Sequence, residues 1–269
     1  MSKNVLRPYQ DRDLEKIEGL FEEFDSVLYQ CPTGGGKSVV ASQFVIDNKK
    51  SKILVLAHKR ELVFQMLERL KKQGLKVGVI IGNIEENINA DIIVASIRTV
   101  TLDKRISTIL NKKFDYIIID EAHRARAASY EKVLDSYKEI NPSFKLLGLT
   151  ATPYRSDKKG LDKYFQTLLC SDDVPTLQKD GWLANFKVFY TPVPKIDEEV
   201  KANNDDYQIQ PLSEYMRKPE MLQFMVDSYK KEGNDRQMIV FCVDKKHAKA
   251  VQAKYIENGY DSIGHIDSD

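Results

Sequence analysis

The stretch CPTGGGKS, Cys31–Ser38, has the residue types that hold a polyphosphate. Gly34, Gly35 and Gly36 let backbone N–H groups turn inward around phosphate oxygens, where a Cβ would obstruct. The ammonium of Lys37 would neutralise β- and γ-phosphates, and the hydroxyl of Ser38 would ligate magnesium. The strict pattern asks for glycine at its first position, where this chain has Cys31. A plain flexible turn is the competing reading. Further along comes DEAH, Asp120–His123. Two adjacent carboxylates at a strand end are costly unless a cation sits there. Magnesium held by Asp120 through its water shell would supply that charge, leaving Glu121 to orient and deprotonate a water. Acidic capping of the next helix is the alternative. A third segment, LTATP, Leu149–Pro153, offers the hydroxyls of Thr150 and Thr152, and by itself is an ordinary strand-to-loop turn.

Each of these segments follows a short apolar run, and amphipathic stretches fill the intervals, the pattern of a parallel sheet covered by helices. The expected strands are Ser26–Gln30, Lys52–Ala57, Lys76–Ile81, Asp91–Ala95, Phe114–Asp120 and Phe144–Leu149. ILVLA and YIII are continuous apolar runs, as in strands buried on both faces. Over Lys59–Gln73, Leu62, Val63, Met66, Leu67 and Leu70 recur at helical spacing, and Gly74 follows as a stop. A second helix is predicted over Ala127–Ile140, with Val133, Leu134 and Tyr137 on one face. Beyond Thr191 the texture changes: TPVPKIDEEVKANNDDYQIQP has three prolines, many charges and little periodicity, and reads as a linker. Helix resumes near Pro219, followed by a strand over Gln237–Cys242, a helix over Asp244–Asn258 stopped by Gly259, and a last run DSIGHI. These form one βαβ beginning of another α/β domain.

Composition narrows the classes. At 269 residues the chain exceeds one typical domain, and 42% hydrophobic with 30% charged residues excludes a disordered chain. No run reaches the roughly 18–20 apolar residues of a membrane span, and the charged start MSKNVLRPYQDRD is no signal peptide, so a cytoplasmic protein without a membrane partner is expected. Cys31, Cys170 and Cys242 are too few and too scattered for a disulfide framework or a zinc site. The net charge of +1 does not announce a nucleic acid, but residues 192–269 hold 11 Lys/Arg and 15 Asp/Glu, leaving +5 on residues 1–191. That imbalance fits an anionic ligand on the first part, or an ordinary solvated surface.

The series LRPYQ, CPTGGGKS, LAHKRELVFQ, VASIRTV, DEAH, GLTATP and MIVFCVDKKHA resembles the ordered motif set of superfamily 2 helicases and translocases, over nearly the whole chain. Within that superfamily the wording is similar to bacterial RadD-like DNA-repair helicases and to the motor subunits of type I and III restriction enzymes. The segments NPSFKLLGLTATPYRSD and QKDGWL carry the RadD-like likeness. The DEAD group of RNA helicases usually has serine where this chain has Thr150, so DNA is favoured over RNA as partner. The resemblance implies a RecA-like α/β lobe with a mainly parallel sheet over residues 1–191, a linker at 192–210 and an incomplete second RecA-like lobe at 211–269. It also implies ATP and magnesium as cofactors, with Lys37, Asp120 and Glu121 catalytic and Ser38 and Asp120 on the metal.

By the same resemblance, Thr33, Gly34, Gly35, Gly36, Lys37 and Ser38 hold the nucleotide, Gln10 reads the adenine edge, and Arg7 or Tyr9 flanks the base. His58, Arg60 and Gln65 match one motif that lies against a nucleic-acid backbone, and Ser96 and Thr99 match a second. A solvated helix residue is the alternative for Arg60, and helix capping is a compatible role for Ser96 and Thr99. His123, Thr150 and Thr152 would couple the nucleotide site to the other lobe, a buried structural histidine being the alternative for His123. Arginine-bearing motifs expected after MIVFCVDKKHA are absent, so the remainder of the second lobe is an implied partner and this chain is expected to be weakly active. Two other readings stay open: a nucleotide-dependent nucleic-acid binding module without productive hydrolysis, and a phosphate-loop enzyme acting on a small molecule.

Overall fold

The computed structural model describes residues 6–125, 127–153, 160–190, 202–203, 206–233 and 235–267, in two compact units, Met1–Asn185 and Phe186–Asp269. The expected linker at 192–210 lies largely outside the described residues, as do the last four residues of NPSFKLLGLTATPYRSD.

The first unit runs α1 (Pro8–Glu23), β1 (Ser26–Gln30), α2 (Lys37–Asp47), β2 (Ile53–Ala57), α3 (Arg60–Lys72), β3 (Val77–Ile81), β4 (Ile84–Glu86) and β5 (Ile92–Ser96). It continues with α4 (Ile97–Val100), α5 (Asp103–Leu110), β6 (Tyr116–Asp120), a 3-10 turn at Ala122–Arg124, α6 (Ala128–Ile140), β7 (Lys145–Thr150), β8 (Thr167–Cys170) and α7 (Val174–Lys179). Eight strands form one sheet in the order β4-β3-β5-β2-β6-β7-β1-β8, parallel except for the β3–β4 pair. All six expected strands are present. The two unforeseen ones, β4 and β8, are the sheet's edges, short and half-exposed, where the continuous apolar run of a central strand is not required.

One face of the sheet packs α1, α2 and α3, with Ile17, Phe44 and Leu70 fully buried; the other packs α4, α5 and α6 through Val100, Ile109 and Tyr137. Phe21 and Phe44 both meet the ring of Tyr116 edge-on, at 5.7 and 5.1 Å between centroids. Fully burying such a side chain contributes about 1.5–3 kcal/mol. The crossovers carry β2 and β5 to one side of β6, and β7 to the other, so β1 comes to lie between β7 and β8. Strands distant in sequence thereby end side by side.

The second unit holds the two-residue strands β9 (Ala202–Asn203) and β10 (Asp206–Tyr207), paired antiparallel, then α8 (Ile209–Met216), α9 (Pro219–Glu232) and α10 (Lys245–Glu257). Asp244 caps α10 by accepting from the His247 N–H at 2.7 Å, as its place before the helix suggests. The expected strand Gln237–Cys242 is a correction: it joins no ladder among the described residues. Val240 and Cys242 pack toward Val226, Val251 and Tyr255, while the alternating Ile239 and Phe241 face outward. The alternation is strand-like, but among the described residues no neighbouring strand takes up its backbone groups as a strand requires. The run DSIGHI is likewise without strand structure.

Candidate nucleotide site

Cys31–Ser38 leaves the carboxyl end of β1 and enters α2 at Lys37. Gly34 and Gly36 have φ of +83° and +90°, the left-handed region in which a side chain is strained. A Cβ on Gly36 would collide with Gln10 Nε2, and one on Gly35 would come within 2.6 Å of Cys31 Sγ. The concave backbone is thus specified by the glycines and by what packs behind them. Cys31 is fully buried, and burial pushes its thiol pKa up, so it serves here as a small apolar wall. Lys37 Nζ reaches the Cys31 carbonyl at 3.3 Å.

LRPYQ braces this loop. Tyr9 Oη donates to the Gly35 carbonyl at 2.6 Å, and Gln10 Nε2 donates to the same oxygen at 2.9 Å. Gln10 Oε1 accepts from the Arg7 N–H at 3.0 Å, closing the first turn of α1. Gln10 is 3% exposed, so its amide is engaged with the chain itself. Arg7, Gln10, Gly34, Gly36, Val39, Gln65 and Arg69 are among the residues lining a cleft of about 630 Å³ beside the loop. Gln65, grouped by the sequence with nucleic-acid contacts, is therefore placed on the cleft wall next to the glycine loop.

Asp120 and Thr150 end β6 and β7, the next strands over. Thr150 is joined to the loop through its carbonyl, which accepts from the Cys31 N–H at 3.0 Å. Burial pushes the Asp120 carboxyl above the usual carboxylate range, the charge of Glu121 adds to it, and the Glu121 N–H and Lys37 pull it back. Glu121 has φ of +57°, uncommon for a residue with a side chain. That turn carries its carboxylate to His123, with Oε2 at 3.3 Å from Nδ1. The same Nδ1 lies 3.3 Å from Thr150 Oγ1, which donates to the Thr152 carbonyl and accepts from the Thr152 N–H. Glu121, His123, Thr150 and Thr152 thus form one polar chain reaching the loop. Asp120 caps no helix. Its Oδ1 accepts from the Glu121 N–H at 3.0 Å.

On the far side of β6, His58 directly follows the end of β2 at Ala57, and β5 ends at Ser96. Both ring nitrogens of His58 are buried without a hydrogen-bond partner among the described residues. Burial pulls its pKa below the ordinary histidine range, and Arg124 and Lys59 add to the shift. Arg60 is exposed and lies over the Phe64 ring at 5.2 Å. Ser96 stands at the cap position of α4, but its side chain makes no capping bond; Thr99 Oγ1 accepts instead from the Gly82 N–H at 2.9 Å. Both are buried. Arg105, which the sequence did not mark, bonds to the Gly82 carbonyl and to Glu85. The sequence also passed over Asp13, fully buried, which accepts from Tyr29 Oη at 2.9 Å and Ser171 Oγ at 2.5 Å and pairs with Arg12. Neither has a local signature, since their partners are set by the order of the sheet.

Residues 3–155 match the family model described as type III restriction enzyme, res subunit. The chain is 30% identical to the putative ATP-dependent helicase IRC3 of Saccharomyces cerevisiae, over 96% of this chain and 40% of that protein. It is 31% identical to the ATP-dependent DNA helicase MPH1 of the same yeast, over 60% of this chain and 17% of that one. The chain spans less than half the length of these relatives. In fold it is similar to the Hef helicase domain of Pyrococcus furiosus, with a TM-score of 0.53 and 20% identity over 95% of this chain and 54% of that one.

Proposed function

Because the chain belongs to the type III restriction enzyme res-subunit family of superfamily 2 helicases, with a RecA-like first unit, we propose that it binds ATP with magnesium and hydrolyses it while contacting a DNA backbone. The observation that carries this reading is the meeting of Lys37, the Asp120–Glu121 pair and Thr150 at the carboxyl ends of the three adjacent parallel strands β1, β6 and β7. Chemistry collected from three chain segments at one sheet edge is what a phosphate-transfer site in an open α/β sheet requires.

The residues fit both cofactors. Gly34, Gly35 and Gly36 let the loop close on Leu183, Cys31 and Gln10, where a Cβ would collide, and the backbone entering α2 is favourable to phosphate. Burial penalises the Asp120 charge and Lys37 only partly offsets it, so a divalent ion beside this carboxylate would be favoured. Magnesium, when bound, neutralises charge on the phosphates and polarises the γ-phosphoryl group. Asp120 and Ser38 would hold the ion. Lys37 would exchange the Cys31 carbonyl for phosphate oxygens, and Glu121 would orient the attacking water and take its proton. His123, bonded to that glutamate and to Thr150, would link its position to the loop.

Contacts of Arg60 with phosphate would give sequence-independent affinity. The name of the MPH1 relative, a DNA helicase, supports DNA over RNA. The test is a pair of titrations. Calorimetry with magnesium–ATP should give binding in the parent chain, none or far weaker binding in Lys37→Ala, and retained binding without turnover in Glu121→Gln. Equal affinity for Lys37→Ala and the parent would sink the nucleotide reading. Anisotropy with labelled single-stranded DNA and RNA over a salt series tests the second ligand, with affinity falling as salt rises. Turnover measured with and without DNA separates a stimulated ATPase from a module that only binds.

A further inference from the structure

The segment QKDGWL has no part in the chemistry above, yet it is built against the nucleotide loop. Asp173 caps α7 by accepting from the Thr176 N–H at 2.9 Å. Gly181, at φ of +77°, reverses the chain, and the N–H groups of Trp182 and Leu183 both return to the Leu177 carbonyl, at 2.8 and 3.0 Å. Gln178 Nε2 closes the far side on the Ala184 carbonyl at 2.9 Å. The result is a compact strap. Its apolar side lies on the glycine loop: Leu177 is fully buried, and Leu183 Cδ2 sits 3.0 Å from where a Cβ on Gly34 would be.

The other side of the strap fixes one cation. The Arg7 guanidinium lies over the Trp182 ring at 5.4 Å, and its Nη1 donates both to the Trp182 carbonyl and to Tyr9 Oη, each at 3.2 Å. Trp182 also approaches the Tyr9 ring, at 6.4 Å between centroids. Arg7 lines the cleft beside the loop; Trp182, 37% exposed, stands behind Arg7 and does not line it. A guanidinium has two faces and five donors. Here one face is taken by an indole and one nitrogen by two acceptors, which holds a usually mobile side chain in a defined place at the cleft wall.

We propose that Trp182 is a positioning residue that holds Arg7 as the platform for the nucleotide base, in the stacking order indole, guanidinium, base. This rests on the nucleotide reading above and extends it to how the base is gripped. Gln10 has its amide committed to Arg7 and Gly35, so the platform supplies much of the base affinity. Stacking does not depend on the edge pattern of the base, so the grip holds a base without reading which one it is.

The only tryptophan of the chain is Trp182, so its emission reports directly on the platform. The 269-residue chain is titrated with magnesium–ATP and with magnesium–tripolyphosphate, which fills the loop but carries no base. ATP should change the emission, and tripolyphosphate should bind with little change. In Trp182→Ala the affinity for ATP should fall about tenfold, a loss of the size of one stacked group, with tripolyphosphate unaffected. Trp182→Phe should restore most of the difference, and Arg7→Ala should lose as much as Trp182→Ala with no further loss in the double variant. An unchanged ratio of ATP to tripolyphosphate affinity in Trp182→Ala overturns the proposal. So does a parallel fall for both ligands, which would make the strap a mere support of the loop. Failure of the parent chain to bind either ligand would instead remove the nucleotide reading itself.

Discussion

Two single positions carry backbone geometry that their neighbours need. At Gly36, alanine would add a Cβ in the left-handed region and against Gln10 Nε2. Gly36→Ala should cost about 1–2 kcal/mol of stability, measurable by urea unfolding, and weaken nucleotide binding by more than the fold loses. Glu121 stands in the same backbone region with its side chain present. Glu121→Gly should therefore be more stable than Glu121→Ala by about 1 kcal/mol, while both lose turnover. Equal melting temperatures for the two would show that the turn is not strained. The glycine loop, the acid pair and the two threonines were legible in the sequence because each is a local pattern at a strand end. Asp13 was not: an aspartate inside an amphipathic helix reads as solvated, and only the insertion of β1 beside β8 brings Tyr29 and Ser171 to it. Replacing Asp13 by alanine should destabilise the first unit by about 1–3 kcal/mol, since it removes the acceptor of the buried Tyr29 hydroxyl while Arg12 keeps its pair with Asp172.

Among the elements, central strands declared themselves by continuous apolar runs, whereas β4 and β8 at the edges did not. The segment Gln237–Cys242 shows the converse error. Its alternation is a strand's, but alternation describes side chains, and a strand also needs a partner for its amides, which nothing within one segment can encode. Helix α10 carries a pH response. Asp244 is held below the usual carboxylate range by its bond from the His247 N–H, so its stabilisation is present above the ordinary aspartate pKa and lost as pH falls through the lowered value. His247 is held below its ordinary range chiefly by burial, with Asp244 opposing and Arg217 assisting. Its stabilising neutral form is favoured above the ordinary value of about 6.5 and lost as pH falls below it. Both signs agree. Protection of the α10 amides, taken relative to intrinsic exchange at each pH, should fall from about pH 6.5 downward, and His247→Gln should remove the upper part of that change while leaving the lower. A flat profile to pH 5 would contradict the assignment.

At the level of the whole molecule, the second unit exposes large apolar groups at Ile239 (82%), Phe241 (93%) and Ile266 (96%). Clusters of this kind bind other apolar surface when nothing covers them. The double change Ile239→Thr with Phe241→Ser should lower self-association in sedimentation and reduce dye binding, with α10 left intact because Val240 and Cys242 still pack on it. No helix among the described residues is long and apolar enough to cross a membrane. The order of the sheet also bears on synthesis. The strand β1, which launches the glycine loop, is among the first parts made, yet both its neighbours, β7 and β8, are drawn from Lys145–Cys170. A nascent chain that has emerged only as far as Ile140 carries the entire loop and has no adjacent strand on which to fix it. On the proposed nucleotide reading, a half-made chain should fail to retain nucleotide until Lys145–Cys170 has emerged, which ribosome-stalled chains of increasing length would check.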